Sequence, residues 1–220
     1  MQHRDYITRL IEEMSKMMAT VLSLQRQDKK HQEAFDLLEG LFSRLYLPKS
    51  KVLVHLSESD LLALFRTNDI IETDKMAAAS LLLTEEAEVS RDWGREEDAY
   101  LRYATALFLR AEAALHEEQD NAAPAHAEEI EKLLRALDHY HLPLHVIAKL
   151  AAYYEAAGQY DQAENMLYRL LKAAVPGDRH AEFRQLAHDF YERLLKMEDT
   201  ELSAGGLPRD EVLEGLHALM

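Results

Sequence analysis

The chain of 220 residues sets 25 lysines and arginines against 40 aspartates and glutamates, a formal net charge of −15, and contains no cysteine. Without a thiol there is no disulfide, thiolate zinc site, iron–sulfur cluster or cysteine nucleophile. The acidic balance repels phosphate backbones, and the small basic groups at Arg26, Lys29 and Lys30 and at Lys49 and Lys51 lack interleaved aromatics, which disfavours a nucleic-acid partner.

Hydrophobic residues make up 48% of the chain and charged residues 30%, enough apolar content to bury a core and enough charge to solvate its surface. Leu, Ala, Glu and Arg dominate, while the 7 glycines and 5 prolines are few for this length. Those preferences point to helix at nearly every position. In chain order, Ile7, Leu10, Ile11, Met14, Met18, Val21 and Leu22 put one apolar stripe on a helix over 3–26. That stripe packs as core against the next helix or serves as the seam of a homodimer. Its opposing face is mixed in charge, which disfavours a membrane surface. Arg4, Asp5, Arg9, Glu12, Glu13 and Lys16 interrupt every apolar run, so no signal peptide is expected. No stretch approaches the roughly 20 apolar residues of a membrane helix, and a cytoplasmic protein is expected.

A second helix over about 29–46 buries Ala34, Leu37, Leu38, Leu41, Phe42 and Leu45, and Pro48 ends it. Residues 49–56 read as irregular or as one helical turn. Ser57 and Asp60 have capping-box spacing before "DLLALF". Only "KVLVHL" (51–56) alternates like a strand, and it has no sheet to join. A long helix from Asn68 or Asp69 to Asp92 is broken by "DWG" (92–94), and the next, 96–118, carries Ala99, Tyr103, Ala106, Leu107 and Ala113. "DNAAP" (120–124) is a loop, with Pro124 in the first turn of a helix that buries Ile130, Leu133, Leu134 and Leu137. Pro143 opens a helix that Gly158 closes, and 160–174 is its partner. "PGD" (176–178) turns the chain into a helix over 179–197. "SAGGLP" (203–208) reads as a linker before a short helix, 209–219. The expectation is an all-α protein of about nine or ten helices, with one helical-repeat domain over 1–202 and a linker and terminal helix over 203–220.

The stretch "YYEAAGQYDQAENMLYRLL" (153–171) resembles a tetratricopeptide repeat, a helix–turn–helix unit of 34 residues. Ile147, Leu150, Ala151 and Tyr154 occupy its first helix, Gly158 the turn, and Ala163, Leu167 and Leu170 its second helix; Tyr160 and Pro176 complete the pattern. A weaker copy has Leu83 and Ala87, then Gly94, Ala99, Tyr103 and Ala106, with Ser90 where a tyrosine is usual. A faint third has Met18 and Leu22, then Lys29, Ala34, Leu38 and Leu41. The alanines 34, 99 and 163 are 65 and 64 residues apart. The resemblance implies a superhelix of antiparallel helical hairpins with divergent repeats. Its core is expected to include Leu38, Leu83, Ala87, Ala99, Tyr103, Leu134, Ile147, Ala151, Tyr154, Ala163 and Leu167. "RDYITRLIEEM" (4–14) and "LSESDLLALF" (56–65) bring a second resemblance, to a bacterial family of unknown function that begins with a D-Y-I-x-R-L-I helix. It covers most of the chain and implies a bacterial, α-helical protein.

Tetratricopeptide arrays bind peptides along a concave face lined by the first helix of each repeat. Carried over, those positions are His145, Ala148, Ala152 and Glu155 in the strong copy. In the middle copy they are Leu81, Thr84, Glu88 and Arg91, with Glu85 alongside. The Lys and Asn of the family's carboxylate clamp are missing from both registers. Between Glu72 and Glu131 lie 16 acidic and 5 basic side chains, which is either a solvated face or a surface for a basic partner. Eleven histidines raise a metal alternative, densest at His139, His141 and His145 in "DHYHLPLH" with Asp138 nearby. No H-E-x-x-H, G-x-S-x-G, phosphate loop or dinucleotide fingerprint occurs. The reading is therefore a non-enzymatic interaction scaffold without a cofactor. It grips a peptide or partner helix through Thr84, Glu85, Glu88, Arg91, Ala152 and Glu155. The alternative is a metal or small ligand held at His139, His141 and His145.

Overall fold

The computed structural model describes residues 31–68, 70–117, 123–174 and 178–219, with Thr20. Nearly all of the stripe from Ile7 to Leu22, and with it the homodimer seam, lies outside the described residues. Within them are eleven helices and two short strands, so the fold is all-α. The chain divides into two compact units, Met1–His141 and Leu142–Met220, where the sequence reading expected one domain ending at 202.

The first unit contains α1 (His31–Arg44), α2 (Ser50–Leu53), α3 (Glu58–Ala63), β1 (Arg66–Thr67), β2 (Ile70–Ile71), α4 (Thr73–Asp92), α5 (Glu96–His116) and α6 (Ala123–Ala136). A long hairpin of α4 and α5 is its centre, with α1 packed on α4 and α6 on α5. Helix α4 is buried almost all round, including Ser80, Thr84, Glu86 and Ser90. The hydroxyls can be buried because each donates to a backbone carbonyl: Ser80 to Ala106 (2.8 Å), Thr84 to Ser80 (2.8 Å) and Ser90 to Glu86 (2.7 Å).

The second unit contains α7 (Leu144–Ala156), α8 (Tyr160–Ala173), α9 (Asp178–Leu194), α10 (Asp199–Ala204) and α11 (Arg209–Ala218). Helices α7 and α8 form a hairpin, α9 packs on α8, and α11 packs on α9 and α10.

The two hairpins turn in the same way. In the first, the Gly94 N–H donates to Arg91 O (2.9 Å) and the Arg95 N–H to Ser90 O (2.8 Å). In the second, Gly158 donates to Glu155 O (3.0 Å) and Gln159 to Tyr154 O (2.9 Å). Both are Schellman closures, with the glycine left-handed at φ 76° and 70°. Residues 64 apart then fall in equivalent, buried places: Leu83 and Ile147, Ala87 and Ala151, Ala99 and Ala163, Tyr103 and Leu167. Of the expected core, only Leu134 is half-buried rather than buried, because α6 turns Ile130, Leu133 and Leu137 inward instead.

A third closure ends α1, but there the left-handed residue is Tyr46, at φ 56° and 82% exposed. Its side chain buries little against the backbone strain, so Tyr46→Gly is expected to stabilise the first unit by about 1 kcal/mol. Urea denaturation followed by the fluorescence of Trp93, the single tryptophan, measures this.

Two local readings, at 66–71 and at 203–208, are corrected. Residues 66–71, placed partly in a helix from 68, pair as a minimal antiparallel ribbon, Arg66 with Ile71 and Thr67 with Ile70. Asn68 takes the left-handed turn at φ 50°, which asparagine tolerates, so α4 starts only at Thr73. Residues 49–56 do contain a short helix, α2. "SAGGLP" is no loose linker: Leu202, Gly205 and Leu207 are buried, and Gly205 O accepts the Asp161 N–H (3.1 Å). A Cβ on Gly205 would sit 2.6 Å from Gly158 O and 2.2 Å from Cδ2 at the edge of the Tyr160 ring, so only glycine fits where this turn caps the start of α8. The preceding α10 is set by a capping box of Glu198 and Glu201, a signal the sequence contained.

Candidate functional site

Helix α7 exposes small residues near its C-terminal end, Ala152 and Ala156, flanking a half-buried Glu155. Beyond the Gly158 turn, Tyr160 starts α8 with its ring buried; from α9 and just after it come Arg193, Leu194 and Met197. Together these seven residues line an open cleft of about 390 Å³. Its surface is mainly apolar, with one charged feature. Arg193 donates two parallel hydrogen bonds to Glu155, Nε to Oε1 at 2.6 Å and Nη2 to Oε2 at 2.8 Å. That bidentate pairing fixes both side chains on the rim, and it holds the guanidinium above its usual pKa range.

Two residues carried over from the repeat resemblance, Ala152 and Glu155, therefore line the same cleft. Their companions differ: Ala148 is half-buried on α7, and His145 is exposed in its first turn. The sequence reading missed Arg193, Leu194 and Met197. They reach the cleft only because α9 packs on α8, and no local pattern in "YERLLKM" announces that.

The middle copy behaves differently. Thr84 is buried, its hydroxyl spent on Ser80 O, so it cannot contact a partner; this corrects its assignment. Glu85 is half-buried among charges from α6, Lys132 and Glu129, and from its own helix, Glu88. Burial raises its carboxyl above the usual range. Glu88 is half-buried and ion-paired with Arg91. Burial, and then Glu88 beside it, push the Tyr103 phenol upward. These residues share a helix face, but the protein's own groups already engage it.

The histidine segment also reads differently in three dimensions. His139 and His141 are exposed at the end of the first unit and His145 is exposed in the second. Among the described residues no three His, Asp or Glu side chains converge as a metal site would need. Tyr140, passed over in the sequence, has the visible role. It stacks on Tyr100 (centroids 5.2 Å apart), donates to Glu96 (2.7 Å), and Tyr100 donates to His141 O (3.0 Å). This segment pins the chain after α6 to α5.

Over residues 1–220 the chain matches a family of unknown function (DUF6483). The chain belongs to that family. The whole-length match agrees with the resemblance read from "RDYITRLIEEM" and "LSESDLLALF", and it assigns no activity. No curated protein and no solved structure matches significantly. Among the described residues, no helix is long and apolar enough to cross a membrane.

Proposed function

We propose that this protein is a non-enzymatic interaction scaffold of tetratricopeptide-like hairpins, acting in a bacterial cytoplasm and gripping a peptide or partner helix in the cleft of the second unit. One observation carries the reading: Ala152 and Glu155, the positions where that repeat family lines its groove, border an open, largely apolar cleft. A cleft of this size takes one or two apolar side chains of a ligand. The Glu155–Arg193 pair offers both charges to the ligand's polar flanks. The small residues at Ala152 and Ala156 let a backbone approach closely.

Selection from a displayed random-peptide library, with the full chain as bait, tests this. Peptides sharing an apolar anchor are expected to bind the parent in the micromolar range, about −8 kcal/mol, and to lose at least tenfold in affinity for Ala152→Arg. Peptides that bind both proteins equally, or a library that yields no convergent binder, would sink the reading. Ala152 is exposed, so its substitution leaves the core intact, which circular dichroism would verify.

A further inference from the structure

In the first unit a carboxylate is buried where the fold need not have placed one. Glu86, at the middle of α4, is fully buried. Its Oε2 accepts a hydrogen bond from Arg102 Nε of α5 at 3.1 Å, while Oε1 has no hydrogen-bond partner. Arg102 is buried too, and it ties three parts of the unit together. Its Nη1 donates to Asp98 O (2.9 Å), its Nη2 to the Ser50 hydroxyl of α2 (3.3 Å), and its guanidinium lies over the Phe35 ring of α1 at 4.9 Å. Ser50 is itself fully buried. Lys49 bonds Glu39 at 2.6 Å, an exposed ion pair that links the start of α2 to α1.

We propose that Glu86, Arg102 and Ser50 form a proton-operated clasp that holds the α2 turn against the α4–α5 hairpin and loosens as pH rises. The groups acting on Glu86 come from every element packed there: Glu39 of α1, Lys49 and Ser50 at α2, and Arg102 of α5, whose guanidinium also pairs with Asp98. Burial disfavours the ionised carboxyl, and Glu39 adds to this; Ser50 and Arg102 oppose it. Burial wins, pushing the Glu86 carboxyl up to about 7. Lifting α2 away uncovers Ser50, admits water and returns the carboxyl to its ordinary range near 4.5.

The sign follows from proton counting. The closed form holds a proton that the open form releases, so closing is favoured below about 4.5 and that advantage is lost as pH rises through about 7. Between those limits the opening equilibrium grows by up to tenfold per pH unit, and because the slope flattens towards each limit the rise from pH 5 to pH 7 is about 40-fold.

Amide hydrogen exchange on the full chain reads this directly. The amides of Leu47, Val52, Leu53, Val54, His55 and Leu56 are all hydrogen-bonded in and around α2. After correction for intrinsic exchange chemistry, peptides spanning 45–56 are expected to open about 40-fold more at pH 7 than at pH 5 in the parent, and by a similar amount at both in Glu86→Gln. A flat parent profile, or the same rise in Glu86→Gln, overturns the clasp. If Glu86→Gln fails to fold, carboxyl carbon NMR of the parent decides: a Glu86 midpoint near 7 supports the clasp and one near 4.5 overturns it.

Discussion

Arg102→Ala is expected to lower the stability of the first unit by about 3–5 kcal/mol at pH 8, among the largest effects of any single substitution in the chain. The physical reason is asymmetric. A buried ion pair adds little net stability, because desolvating two charges offsets most of their attraction. Removing one partner leaves the other buried and uncompensated. In the variant Glu86 would face no cation from α5, its Oε1 would still lack a hydrogen-bond partner, and Ser50 would lose the Nη2 donor that ties it to the hairpin. Adding Glu86→Gln removes the charge, so the double variant is expected to regain at least half of the loss. Urea denaturation read by Trp93 suits both measurements, because Trp93 sits in the Gly94 turn between the helices that carry the pair, with Arg95 over its ring at 3.4 Å. A single-variant loss below about 1 kcal/mol, or a double variant no better than the single, would mean the pair is solvated in solution.

The same residues show where sequence reading succeeds and where it stops. Helix spans were legible because 3.6-residue periodicity, Pro143 and the two turn glycines are local signals. The turns at Gly94 and Gly158 were located to the residue, since a Schellman closure needs a left-handed residue and glycine supplies it most easily. Tyr46 performs the same closure without that signature, so its geometry was invisible. Helix α4 misled for a different reason. Its hydrophobic residues and its Ser, Thr and Glu are buried together, so polarity did not mark the outer face and Thr84 was placed among partner contacts. A hydroxyl that bonds a carbonyl on its own or a neighbouring helix is as easily buried as an alanine, and composition cannot distinguish the two. The cleft was half legible: α7 supplied Ala152 and Glu155 through the repeat register, while α9 supplied Arg193, Leu194 and Met197 through packing that only three dimensions show. The linker expected at 203–208 failed because a pair of glycines signals either slack or close approach, and the ring of Tyr160 against Gly205 makes it close approach here.

The alanines 64 residues apart offer a test of the repeat itself. Ala99 and Ala163 are both fully buried, each four residues past a turn N-cap whose carbonyl accepts its N–H at 3.0 Å. With both methyls closed off from solvent, a leucine at either position would have to displace packed neighbours. Ala163→Leu and Ala99→Leu are each expected to lose about 1–3 kcal/mol, whereas Ala181→Leu, at an exposed position on α9, should change stability by less than about 0.5 kcal/mol. Thermal melts by circular dichroism, with Trp93 fluorescence reporting the first unit separately, would measure all three. Equal losses at 99 and 163 would mean that both hairpins cross at the same tight place and share one packing solution as well as one turn. A loss at 163 alone would confine the likeness to the turn: a Schellman closure recurs wherever a helix must stop and reverse, but an alanine that cannot be enlarged belongs to a particular crossing.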